Sequence, residues 1–138
     1  MRVILNDPPR TFMVGNAGPT IAMKDCGKIR LQADEQVTLI TEHEGEYDVA
    51  RKEWGFYATP SLNARLAEFA LHAALVRNPK DRYFILLCEE GKEQCFSAYL
   101  KNEQLSIVAW LDTTERLRTI EQALQGNPAP DREAGEIA

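Results

Sequence analysis

Short apolar runs divided by turn residues make up the first third of the chain, and a helical period appears only after residue 60. The apolar runs "RVILN" and "TFMVG" flank Asp7-Pro8-Pro9, and "IAMKDCGKIRL" is interrupted at Asp25-Cys26-Gly27; both interruptions are turn signals between short strands. "GNAGP" has two glycines but neither the lysine nor the GxGxxG spacing of a phosphate loop, so it reads as a hairpin loop. In "EQVTLITEHEGEYDVAR", Val37 and Leu39 share a strand face, and Tyr47 and Val49 continue it after a turn around Glu44-Gly45. Alternation then places Glu46 and Asp48 on the opposite face, which is predicted to look outward into water.

The period changes at Leu62, Leu66, Phe69 and Ala73, whose spacing forms one helical stripe, with Thr59 as N-cap and Pro60 as the first helical residue. From about Leu71 a strand is predicted, paired through "NPKD" with "RYFILLCEE". "KEQCFSAYLKNE" sets Cys95, Phe96, Tyr99 and Leu100 on a helical face, and "LSIVAWLD" returns to strand composition. Asp112 and Glu115 have capping-box-like spacing ahead of a stripe of Leu117, Ile120 and Leu124, which ends before Gly126 and Pro128. The expected fold is α+β: a β-rich N-terminal region followed by α-β-β-α-β-α, with an antiparallel-rich sheet packed by two or three helices. Residues 1–125 are expected to form a single domain and 126–138 a disordered tail.

The length of 138 residues suits one domain with its own core, and 44% hydrophobic with 27% charged residues is ordinary globular composition. Formal net charge is −5 and the basic residues are scattered, so nucleic acid and anionic membrane surfaces are poor partners. No apolar run is long enough to span a bilayer, and Asn6-Asp7-Pro8-Pro9 breaks the N-terminus too early for a signal-peptide core. Three cysteines without CxxC spacing argue against a disulfide framework, and a cytoplasmic location is expected.

Few residues offer catalytic chemistry. His43 alternates away from Glu42 and Glu44, which argues against one ligand set, and no HxH or HExxH pattern is present. Cys88 is followed by Glu89-Glu90, which oppose thiolate formation, and Cys95 sits among helical core positions, so both read as structural. Cys26, between Lys24 and Lys28, has no histidine near it in sequence, and His72 reads as a hydrogen-bonded core or edge histidine. No resident metal or cofactor is implied.

One stretch remains, "YDVARKEWGFYATPSLNARL", Tyr47 to Leu66, with four aromatics and three basic residues. Read as a site, it offers Arg51, Lys52, Trp54, Tyr57, Asn63 and Arg65 as donors and aromatic faces beside a helix N-terminus, a setting for a small polar ligand such as a sugar or an anion. Read as a packed corner, it has Trp54, Phe56 and Leu62 sealing the sheet against the helix, with Arg51 and Lys52 in water. The functional expectation is a non-catalytic domain that binds a small polar ligand or a protein partner, as an accessory to an enzyme. The alternative is a small sugar-modifying enzyme in which Asp48, Arg51, Tyr57 and His72 converge.

The succession "DEQVTLITE", "EYDVARKEWGFYATPSLNARL", "RYFILLCEEGKE" and "IVAWLD" resembles a small uncharacterised bacterial family associated with surface-polysaccharide gene neighbourhoods, over about residues 24 to 112. The resemblance carries no catalytic motif; it implies a carbohydrate-related role and no particular site residue.

Overall fold

The run "LHAALV" is apolar at nearly every position because the strand it forms is covered on both sides. In the computed structural model, which describes residues 1–15 and 20–126, this strand is β6 (Leu71–Arg77), held antiparallel between β7 (Tyr83–Glu89) and β8 (Ser106–Trp110). Leu71 and Ala73 point to a cluster with Leu66, against which Tyr47, Leu87 and Leu111 pack. Ala74 and Val76 meet Leu100 of α2 (Glu93–Asn102), with Leu86, Phe96, Leu105 and Trp110 around them. The Phe96 and Trp110 rings lie 5.7 Å apart at a tilt.

Two further antiparallel sheets precede this one: the ribbon of β1 (Arg2–Val14) and β2 (Ile21–Arg30), and the order β3-β4-β5 from Gln36–Ile40, Glu46–Lys52 and Gly55–Ala58. With α1 (Arg65–Glu68) and α3 (Thr114–Gln125), the element order is five strands followed by α-β-β-α-β-α, an α+β fold of antiparallel sheets and, among the described residues, three helices. No described helix is long and apolar enough to cross a membrane.

Several local expectations are corrected. Asp7-Pro8-Pro9 does not end a strand: β1 runs through it, and the register slips between Leu5 and Arg10 instead. A two-stranded ribbon has open edges, where prolines forfeit no ladder bond, and the slip absorbs them. Asp25-Cys26-Gly27 likewise lies inside β2. Gly27 sits opposite Leu5 at φ +146°, and a Cβ there would run into the Ile4 carbonyl oxygen, so glycine is what lets the ribbon pass the slip.

The predicted helix from Pro60 is also shortened. Thr59 donates its backbone N–H to Asp48 O as an extension of β5, and Ser61 takes over as the start signal, its Oγ accepting from Arg65 N at 3.0 Å. The helix is a single turn, closed by Ala70 at φ +61° so that β6 can begin at Leu71. Leu66 alone of the predicted stripe is both helical and buried; Leu62 is 37% exposed and Ala73 is in β6.

Cys95 and Tyr99 face water on α2, leaving Leu100 buried and Phe96 half-buried. The cap of α3 is Thr113, one residue after the expected Asp112, with its hydroxyl accepting from Arg116 N at 3.1 Å. The loop expected around residues 16–19 and the tail expected over 127–138 lie outside the described residues.

Candidate functional site

The outward-facing role expected for Glu46 and Asp48 is reversed for Asp48, which is 7% exposed and one of the two buried charged residues among those described. The shared face of Val37, Leu39, Tyr47 and Val49 is as read, and the register pairs Val37 with Val49 and Leu39 with Tyr47. What differs is which face is covered. Tyr47 packs on the Leu66 cluster, while the polar face of β4 is covered by the chain that returns after β5 and places Arg65 over it.

Register then dictates a row of side chains on that face: Thr38 opposite Asp48, Gln36 and Tyr57 flanking Ala50, and Lys52 beyond it. Asp48 accepts from the Thr38 hydroxyl at 2.6 Å on one oxygen and from Arg65 Nη2 at 2.8 Å on the other. An ionised carboxylate has about four acceptor positions, so room for further donors remains on a group already fixed in place. Arg65 is held in turn over the Phe69 ring, 5.4 Å from its centroid.

Asp48, Ala50, Lys52, Tyr57 and Arg65 line an open cleft of about 490 Å³ together with Asp34, Gln36 and Thr59. Ala50, small and central, forms its floor. The Thr59 hydroxyl is buried without a hydrogen-bond partner. At the rim, Lys52 Nζ donates to Asp34 Oδ1 at 2.7 Å; this hydrogen bond, and then the opposite charge, holds the Asp34 carboxyl below its ordinary value and the Lys52 ammonium above its own. Both are therefore charged through neutral pH, and both are exposed enough that the pair adds little to stability.

Of the residues singled out in the sequence, Lys52, Tyr57 and Arg65 meet in this cleft. Arg51 alternates to the other face of the sheet, beside Lys28, Arg30 and Phe56, and its Nη1 is buried with no hydrogen-bond partner. Asn63 donates to Thr114 Oγ1 at 3.0 Å and so ties the segment before α1 to α3. Trp54 projects from the β4–β5 turn, 74% exposed, with Phe56 at 62%. The packed-corner arrangement of Trp54, Phe56 and Leu62 is therefore absent, and a one-turn α1 supplies no aligned dipole for an anion.

No match to the chain is found among protein-family models, curated proteins or solved structures. The site is accordingly defined by its geometry. Gln36, Asp34 and Thr59 line it and Thr38 fixes Asp48 from beside it, and the signal for Gln36 and Thr38 lies in the alternation Gln36-x-Thr38 facing Asp48-x-Ala50.

A second group lies in the other sheet. His72 and Cys88 are cross-strand partners on β6 and β7, and His72 Nδ1 stands 3.2 Å from Asp112 Oδ2 without hydrogen-bond alignment. Burial pushes the Cys88 thiol up, and the carboxylates of Glu93 and Glu89 push the same way, the opposite of what a nucleophile needs. Cys26 and Cys95 are exposed, which corrects the structural role expected for Cys95. Brief alkylation at neutral pH, read by intact mass, is expected to modify Cys26 and Cys95 and to spare Cys88 until denaturant is added. Labelling of Cys88 at the rate of the other two would show a reactive thiol and contradict its structural role. Among the described residues, no group of three or more His, Cys, Asp or Glu side chains could hold a metal ion.

Proposed function

We propose that this protein is a binding module for a small polyhydroxylated ligand of the sugar or sugar-acid class, held in the cleft between β4 and α1. The observation that carries the reading is Asp48: a buried carboxylate, fixed by Thr38 and Arg65, that still presents acceptor capacity at the floor of an open cleft. Such a group suits paired ligand hydroxyls, Arg65 and Lys52 supply donors, and the half-exposed Tyr57 ring offers a face for the apolar side of a sugar ring. The resemblance to a family from surface-polysaccharide gene neighbourhoods supports the same ligand class.

The enzymatic alternative needs Asp48, Arg51, Tyr57 and His72 together, whereas Arg51 occupies the opposite face of the sheet and His72 a different sheet. Binding without turnover is therefore the reading favoured.

The test is calorimetry of the full chain against neutral monosaccharides, uronic acids and sugar phosphates. One class is expected to bind, with Tyr57→Ala and Lys52→Ala each weakening it at least about tenfold, or about 1.4 kcal/mol, while Arg51→Ala leaves it unchanged. Absence of binding across the panel, or affinity lost only with Arg51, would refute the cleft as the site.

A further inference from the structure

We propose a second binding site, on the face of the β3-β4-β5 sheet turned away from the cleft, for a phosphate monoester that carries an apolar group. The site is a cavity of about 400 Å³ where the base of the β1–β2 ribbon meets β4 and β5, a size ordinary for small-molecule sites. Its charged lining residues are Lys28, Arg30 and Arg51, with no carboxylate beside them, in a chain whose formal net charge is −5. Ile4, Leu31 and Phe56 supply apolar wall.

The three cations have no partner in the chain. Among the described residues none of them makes an ion pair or a side-chain hydrogen bond. Arg51 is partly buried and its Nη1 has no acceptor, an uncommon state for a guanidinium taken out of water. Both acidic residues hydrogen-bonded to its backbone, Asp34 and Glu35, direct their carboxylates elsewhere. Asp34 holds Lys52 Nζ at 2.7 Å, and Glu35 holds the Met1 ammonium at 2.9 Å and the Gln32 N–H at 2.7 Å. Arg30 stands directly opposite Arg2 across the ribbon, a like-charge pair that an anion nearby would relieve.

Charge and wall together select the ligand class. Three cations suit the charge of about −1.5 to −2 on a phosphate monoester better than the single charge of a carboxylate, and the arginine forks match phosphate oxygens. Phe56, across the β4–β5 pair from Arg51 and 62% exposed, offers a ring to an aryl or alkyl body. A phosphate without such a body leaves this wall in water, which separates the site from the sugar cleft on the other face.

The test is calorimetry of the full chain with phenyl phosphate, and with inorganic phosphate and phenol as its two halves. Phenyl phosphate is expected to bind at one site, at least about tenfold tighter than inorganic phosphate, and phenol not to bind. Arg51→Gln and Arg30→Gln should each weaken it at least about tenfold, and Lys52→Ala, on the cleft face, should leave it unchanged. Arg30 is exposed, so its variant is expected to keep the wild-type circular dichroism and to decide the matter even if Arg51→Gln disturbs folding. Vesicles of phosphatidate present the same head group on a membrane, and the acidic chain is expected not to sediment with them. No binding of phenyl phosphate, binding unaffected by Arg30→Gln, or attachment to the vesicles without binding of phenyl phosphate would each overturn the inference.

Discussion

Leu66→Ala is expected to lower folding stability by about 3 to 5 kcal/mol, the range of leucine truncations in sites that cannot collapse. Leu66 has no exposed surface and is the buried residue of α1. It joins Tyr47 of the β3-β4-β5 sheet to Leu71 and Ala73 of β6, so the cavity would open where two sheets meet. That interval is a large share of the roughly 5 to 15 kcal/mol by which a domain is stable. Leu62→Ala, at a position 37% exposed, is expected to cost under about 1 kcal/mol. Urea unfolding followed by circular dichroism checks both. Equal losses would restore a longer helix with Leu62 and Leu66 on one buried stripe.

Asp48→Ala is expected to cost about 2 to 3 kcal/mol and to abolish ligand binding in the cleft. The loss comes mainly from the charge-assisted bond to Thr38 at 2.6 Å and the hydroxyl left without its acceptor. Arg65 contributes less, because its side chain is 45% exposed and can turn to water once released. Asp48→Asn, which keeps the shape and one acceptor oxygen, should recover more than half of the stability and little of the binding. Thermal unfolding of the two variants, with calorimetry beside it, reads both quantities. An alanine variant as stable as wild type would show that the β4 polar face is solvated after all.

The architecture was legible where periodicity was unambiguous. The alternation in residues 35–51 predicts a hairpin and which residues share each of its faces, and the apolar runs around Asn78-Pro79 predict β6 and β7, because a strand buried on one or both faces favours these patterns. Alternation assigns residues to two faces without saying which face is covered, and that depends on where a distant segment returns. The covering of Asp48 by Arg65, seventeen residues later, is such a contact. The same limit applies to Arg51 and Lys52, adjacent in sequence and therefore on opposite faces of β4, one in the cleft and one behind it.

Helix length is not legible in the sequence for a different reason. Leu62, Leu66, Phe69 and Ala73 satisfy a helical stripe, but Leu66 bonds back to Ser61 and Ala70 adopts positive φ, so the chain spends only one turn as helix before β6. Tertiary demand for Leu71 and Ala73 in the central strand outweighs helical propensity. Trp54 illustrates the converse: a large aromatic at a strand end is ordinarily core, yet here it crowns a turn at 74% exposure.

The placement of the ligand in the cleft is tested most directly by amide chemical shifts of the isotope-labelled full chain during titration with the sugar or sugar acid that binds in calorimetry. Binding in the cleft predicts that the largest changes fall on Asp34, Gln36, Asp48, Ala50, Lys52, Tyr57, Thr59 and Arg65, with Arg51 and Trp54 moving less than Lys52 and Tyr57. Changes centred on Arg51, Lys28, Arg30 and Phe56, or on Trp54 and Asn63, with the Asp48 face unmoved, would contradict it.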